Sequence, residues 1–209
     1  IHEESPVTGL APEGAGWRVE TPRAALSAPR VILAVNGHAE SFGFFARRLM
    51  HIFTYASMTR ALTPAETARL GGRPRWGVTP ADPMGTTVRR ISDAGGDRIL
   101  VRSHVVLAPA MTVSEARIAR AGRMHDRRFA ERFPMLAGVE MAYRWGGHLC
   151  LSRNGAPAFG AVAPGVIAAC CQNGLGTVKG TLSAMAAAEA ALGREAALTR
   201  ALSAGPAPE

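Results

Sequence analysis

Gly165–Thr177 reads GVIAACCQNGLGT, an apolar, partly β-branched run that stops at Gly174 and Gly176 and passes into the Ala-rich stretch Thr177–Leu192. A buried strand over Gly165–Cys171, a tight glycine turn and a helix closed by Gly193 form the order expected of an α/β unit. Such an order brings free backbone N–H groups and the positive end of a helix dipole to one point. A phosphate, a carboxylate or another electron-rich oxygen suits that point. Taken alone, the stretch reads better as a plain tight turn. No third glycine completes a GxGxxG register, and no lysine follows Gly176 as a P-loop needs.

A second buried strand lies far upstream. Arg30–Val35 (RVILAV) is apolar and β-branched, which predicts a parallel strand, and it ends sharply at Asn36-Gly37. Ligands of open α/β sheets sit at such carboxyl ends, although a simple loop start fits Asn36-Gly37 equally. Ahead of it, residues 1–12 read as a loop, and Gly16–Glu20 and Ala24–Ser27 as a hairpin. His38–Met50 suits a short helix or an irregular crossing.

The middle of the chain changes character. His51–Leu62 alternates and carries aromatic and β-branched residues, so a strand is predicted. Thr63-Pro64-Ala65-Glu66 opens a helix, with Thr63 as N-cap, Pro64 in the first turn and Glu66 at N3, and Gly71-Gly72 ends it. Val88–Ile91 and Arg98–Leu107 are meander strands around the turn Asp93–Asp97. Val113–Phe133 is an amphipathic helix capped by Thr112 or Ser114 and stopped by Pro134. Met141–Leu151 is a further strand, whose paired Gly146-Gly147 after Trp145 permit a bend or the close approach of a planar ligand. Asn154-Gly155 is a turn signal. These readings give a mixed α/β (α+β) fold with two interleaved bodies: residues 1–50 with 152–203, and an antiparallel body over 51–151, followed by a disordered tail at 204–209.

Composition narrows the function classes. The chain has 209 residues, 47% of them hydrophobic and 19% charged, enough apolar material for a real core. Its net charge of +8 is nearly all arginine, but the arginines are scattered and only two tyrosines are present. That pattern lacks the basic and aromatic interleaving of a single-strand binder, so no nucleic-acid partner is expected. Cys150, Cys170 and Cys171 have no CxxC spacing and read as core thiols in a reducing cytoplasm. No signal peptide is read at Ile1, and Val178–Leu192, interrupted by Lys179 and Glu189, is too short for a membrane span. The six histidines show neither HxxxH nor HExxH, so no metal site is expected, and no GxSxG signals a serine hydrolase.

In order along the chain stand Ser5-Pro-Val-Thr-Gly9, Gly16-Trp-Arg-Val-Glu-Thr-Pro22, Val31-Ile-Leu-Ala-Val-Asn-Gly37, Tyr143-Arg-Trp-Gly-Gly147, Asn154-Gly-Ala-Pro157 with Phe159-Gly160, and Asn173-Gly-Leu-Gly176. No single piece is specific. Six in this order, spanning nearly the whole chain, resemble FAD-dependent oxidoreductases of the D-amino-acid-oxidase/glycine-oxidase type, and most closely the branch with gamma-glutamylputrescine oxidoreductases. The resemblance implies the carboxyl-terminal part of a Rossmann-like FAD-binding domain interleaved with an antiparallel substrate domain. It implies non-covalent FAD and oxidation of a C–N bond in a small amine or amino acid by hydride transfer to flavin. The poverty of carboxylates suits a reaction in which a cofactor takes the electrons.

Residue by residue, the resemblance puts the backbone of Val7 at the adenine and Asn36-Gly37 at the adenosine half. Gly174, Leu175, Gly176 and Thr177 fall at the flavin ring, Gly147 and Asn154 near the cofactor, and Tyr55 and Met58 on a strand facing the substrate; no catalytic side chain is assigned. The family's GxGxxG unit is absent from these residues, so a missing N-terminal FAD-binding segment, on the same or a separate chain, is the expected partner. Relatives often carry an acidic residue at position 154 and a histidine at 175, where this chain has Asn154 and Leu175. Lys179 stands one position after the lysine that holds the substrate carboxylate in some relatives, and Cys150 does not fall where covalent-flavin relatives place theirs. A non-catalytic remnant or interaction module that keeps the substrate-domain fold is the alternative.

Overall fold

The computed structural model describes residues 1–82, 84–194 and 196–209. Its strands and helices, in chain order, are β1 (Gly9–Glu13), β2 (Gly16–Glu20), β3 (Ala25–Ala28), β4 (Val31–Leu33), β5 (Met50–Thr59), α1 (Pro64–Leu70), β6 (Trp76–Val78), β7 (Thr87–Asp93), β8 (Gly96–Leu107), α2 (Glu115–Arg132), β9 (Met141–Leu151), β10 (Ala158–Ala163), β11 (Val166–Cys170), α3 (Thr181–Ala191) and α4 (Ala197–Ser203). They form two compact units, Ile1–His51 with Leu149–Glu209, and Ile52–His148.

In the first unit, β1, β2 and β3 make an antiparallel sheet, and β10, β11 and β4 a mixed one. The pairing of β4 with β11 is parallel, Val31 opposite Val166 and Leu33 opposite Ala168, as the apolar runs predict. Leu33, Cys150, Ala158, Val166, Cys170 and Cys171 form the buried core, with Trp17 and Phe42 packed on it. The Trp17 indole N–H donates to the Pro164 carbonyl at 2.8 Å.

Four elements were not read from the sequence. β1 carries Pro12, which a strand tolerates here because β1 is the edge of its sheet. β10 (AFGAVA) has little intrinsic strand preference and is made by pairing with β11. β6 has three residues. α4 is held by tertiary contact, Thr199 Oγ1 donating to the Ala186 carbonyl at 3.3 Å. The helix predicted from Thr177 instead starts as one wide π turn, Gly176–Gly180, before α3 proper. Such turns recur at functional sites. The tail read as disordered lies on the Asn154 turn. Glu209 O accepts from Arg153 N at 2.6 Å, Ala207 O accepts from Asn154 Nδ2 at 2.8 Å, and Pro208 is fully buried.

The second unit is an antiparallel sheet in the order β6-β7-β8-β5-β9. Its core holds Leu62, Val88, Ile99, Val101, Phe129, Leu136 and Val139. The α1 cap forms as its sequence dictates. Thr63 Oγ1 accepts from Glu66 N at 3.2 Å, and Glu66 Oε2 accepts from Thr63 N at 2.8 Å. Arg60 donates to both Glu66 oxygens at 2.8 Å, and that pairing, with the cap, holds the Glu66 carboxyl down at about 2. Ser114 is the N-cap of α2, without a side-chain bond.

α2 lies on one face of the sheet, and His125 ties the two together. Its Nδ1 is 2.7 Å from Ser57 Oγ, and its Nε2 is 3.1 Å from Ser103 Oγ. Between β5 and β8 the register slips: Thr54 pairs with Val105 but Tyr55 with Ser103. His104 is the extra, unpaired residue of this bulge and takes a left-handed φ of 69°. At Gly146 an added Cβ would stand 2.0 Å from the Phe53 ring, whereas at Gly147 it would meet nothing within 4 Å. The close approach permitted by Gly146 is thus filled by Phe53. No helix among the described residues is long and apolar enough to cross a membrane, and no group of three or more His, Cys, Asp or Glu among them could hold a metal ion.

Candidate cofactor-binding site

Two parallel strands set up the site. β4 and β11 run side by side, so their carboxyl ends deliver Asn36 and the Cys171–Gly176 turn to the same edge of the sheet. The backbone there is unusual. Asn36, Cys171 and Asn173 all have φ of 51°, and Gly174 has φ of 78°. Asparagine tolerates this region better than most residues, glycine without cost, and a cysteine there must be held by its surroundings.

Side chains lock the turn. The Cys150 thiol donates to Asn36 Oδ1 at 2.9 Å, and the Cys170 thiol to the Leu33 carbonyl at 3.1 Å. Asn173 Oδ1 accepts from Ser152 N at 2.8 Å, while its Nδ2 donates to the Ala156 carbonyl at 3.1 Å. The Ser152–Ala156 loop and the glycine turn are therefore one rigid piece. Its hydrogen bond with Cys171 and its burial both push the Cys150 thiol up, and burial does the same to Cys170, so both sulfurs stay protonated and unreactive.

The π turn follows directly. By helix geometry the first amides, those of Gly176, Thr177 and Val178, have no acceptor within the helix, and the next, Lys179 N, donates to the Leu175 carbonyl at 2.9 Å. Residues 174–178 are exposed, and a Cβ at Gly174 or Gly176 would meet no protein atom within 4 Å. Bare, outward-facing main chain at a helix start can take an electron-rich planar group. Beside it, between the β4/β11 strand ends and α3, a cleft of about 390 Å³ is lined by Ile32, Asn36, Cys170, Gln172 and Gly180.

The structure brings Asn36, Gly37, Gly174, Leu175, Gly176 and Thr177 to these adjoining strand and helix ends. Asn154 joins them through the loop bonded to Asn173 and turns its own side chain toward the tail: its Nδ2 donates to the Ala207 carbonyl at 2.8 Å. Val7 lies apart, in the exposed lead-in to β1. Gly147, Tyr55 and Met58 belong to the second unit. Tyr55 and Met58 are three residues apart on β5 and so point to opposite faces. Tyr55 shares the α2 face with Ser57, the partner of His125. Sequence reading gave no site role to Cys150 or Ser152, and it quoted Asn173 only within the Asn173–Gly176 stretch; Asn173 beside Gly174, a pair suited to left-handed backbone, was the one available signal.

An α/β unit with a glycine turn at its parallel strand ends and an antiparallel sheet unit are the two parts that a resemblance to flavin-dependent oxidoreductases leads one to expect. A family model described as FAD dependent oxidoreductase (DAO) matches residues 1–190, and the chain belongs to that family. Among solved structures, glycine oxidase from Geobacillus kaustophilus is similar with a TM-score of 0.69 at 18% identity, over 94% of this chain and 50% of that one. NikD, an amino acid oxidase of nikkomycin biosynthesis, gives 0.65 at 18% identity over 98% and 54%. L-proline dehydrogenase from P. horikoshii gives 0.62 at 16% over 92% and 51%. The chain thus spans about half the length of these proteins. No curated protein matches it.

Proposed function

We propose that this chain is the carboxyl-terminal part of an enzyme that oxidises a C–N bond in a small amine or amino acid, with FAD held non-covalently. The observation that carries the proposal is the bare π-turn start at Gly174–Thr177, fixed against the ends of two parallel strands, in a chain of the FAD dependent oxidoreductase family. FAD, when bound, supplies the acceptor for the hydride leaving the substrate carbon, and water then hydrolyses the imine. The chain's own contribution is electrostatic and positional. The amides of Gly176, Thr177 and Val178 and the dipole of the helix they open would stabilise negative charge on the flavin ring, with Leu175 and Thr177 on the same exposed turn. Asn36 and Gly37 would receive the adenosine half and the Val7 backbone the adenine, with the Asn154 loop, bonded to Asn173, beside them. Met58, on the β5 face away from α2, is the residue offered to substrate. With the sulfurs of Cys150 and Cys170 buried and engaged in hydrogen bonds, a non-covalent cofactor fits, as does a reducing, cytoplasmic setting.

The pyrophosphate needs a strand–GxGxxG–helix segment outside these 209 residues. β4 ends its sheet, and Val178, Leu182 and Met185 leave an exposed apolar stripe along the π turn and α3. Both are suited to a parallel strand and its crossover helix. Amines of the gamma-glutamylputrescine type, together with small amino acids, are the first substrates to test.

The full protein is expected to purify yellow and to bleach anaerobically when its amine is added; a colourless protein with every residue present would leave the interaction-module reading instead. Gly176→Val is expected to lower flavin affinity about tenfold or more, roughly 1.4 kcal/mol. Because a Cβ there meets no protein atom, the melting temperature of the apoprotein should stay unchanged. Full flavin retention in this variant would remove the turn from the cofactor site.

A further inference from the structure

We propose that the second unit carries a separate site for a small organic dianion, in the cleft between α2 and the β5–β8 bulge. The cleft holds about 540 Å³ and lies wholly within residues 55–127. Arg117, Arg120 and Arg127 line it from α2, spaced so that they share one face of the helix with Met124. None of the three guanidiniums pairs with a carboxylate among the described residues. The carboxylate on that stretch of helix, Asp126, is taken by Arg144, which donates to both its oxygens at 2.8 and 2.9 Å.

A second observation comes from the sheet. The bulge at His104 forces a non-glycine residue to φ 69° and re-aims its imidazole into this same cleft, beside the buried Tyr55 ring at 5.8 Å. Backbone strain at a bulge next to a cation-rich cleft is the kind of local cost that persists where a side chain must be presented. Val106, Met124 and the Tyr55 ring supply an apolar wall. Burial raises the Tyr55 phenol, with Arg117 opposing, so its neutral hydroxyl remains a donor. The complementary ligand has an apolar or aromatic body with a doubly charged head. Guanidinium forks fit a phosphate monoester or a dicarboxylate equally well.

The site is independent of the flavin reading, and its test is binding rather than turnover. The full protein is titrated calorimetrically with phenyl phosphate and with phthalate, and with benzyl alcohol as the neutral analogue. Saturable binding of at least one dianion is expected, and the tighter of the two identifies the headgroup class. The double variant Arg117→Ala/Arg120→Ala should weaken it about tenfold or more, as loss of charge-assisted contacts does. His104→Gly, which keeps the bulge and removes the imidazole, should also weaken it; Arg132→Ala, at the far end of α2, should not. The proposal is overturned if neither dianion saturates, if benzyl alcohol binds as well, or if the double variant binds like the wild type.

Discussion

Acidification from pH 7 to pH 4 should strip about 3 kcal/mol from the stability of the 52–148 unit through His125 alone. The ring is fully buried between Ser57 and Ser103, and burial lowers its pKa from 6.5 to about 4. Its folded pKa lies below the unfolded one, so the unfolded chain takes up the proton first. The stabilisation is complete above pH 6.5 and is lost as pH falls toward 4. Glu66, held at about 2, weakens the fold only below its ordinary value of 4.5, so at pH 5.5 the loss is that of His125. At pH 4 the Glu66 part is common to wild type and a His125 variant and cancels in their comparison. Urea denaturation at pH 7, 5.5 and 4, run on wild type and His125→Asn, is the measurement. The variant starts less stable, because Ser57 and Ser103 lose a partner, but its decline over this window should be smaller by about the same 3 kcal/mol. Parallel declines in the two proteins would show that the proton goes elsewhere.

Gly146→Ala should cost about 2–3 kcal/mol, the range for a methyl forced into a filled site. The new Cβ would lie 2.0 Å from one Phe53 ring carbon and 2.7 Å from the next. The ring cannot simply slide, because Tyr55 stands 5.2 Å away on the same strand face. Gly147→Ala, one residue on and with open space around its Cβ, is the internal control and should be close to neutral. Melting temperatures decide between them, with a drop of about 5–10 °C expected for Gly146→Ala. Phe53→Leu in the same chain should recover part of the loss, since the two residues share one volume. Equal melting of the two alanine variants would refute the packing argument.

Legibility followed the reach of the forces involved. Thr63–Glu66 was readable because a capping box is local, its donors and acceptors three residues apart. β4 as a buried parallel strand and β11 as a strand were readable from their apolar runs, though not their pairing, and the glycine turn from its punctuation. What escaped depends on distant partners: β10 needs β11, α4 needs α3, and the His104 bulge exists only in the mismatch of two strands. At the site, the turn at Gly174–Gly176 stood out in sequence. The Cys150–Asn36 contact spans 114 positions and leaves no local trace. Tyr55 and Met58 illustrate the same limit. Their spacing alone puts them on opposite faces, but only the packing of α2 tells which face is which.

The buried sulfurs have a use unrelated to redox chemistry. Cys150, Cys170 and Cys171 are each no more than 1% exposed, so an alkylating reagent reaches them only when their unit opens. Labelling rate is then a clock for that opening, read by mass and needing no cofactor. All three lie in one unit, while His125 reports on the other. Timing alkylation against the acid transition would show whether the two units come undone together or one at a time.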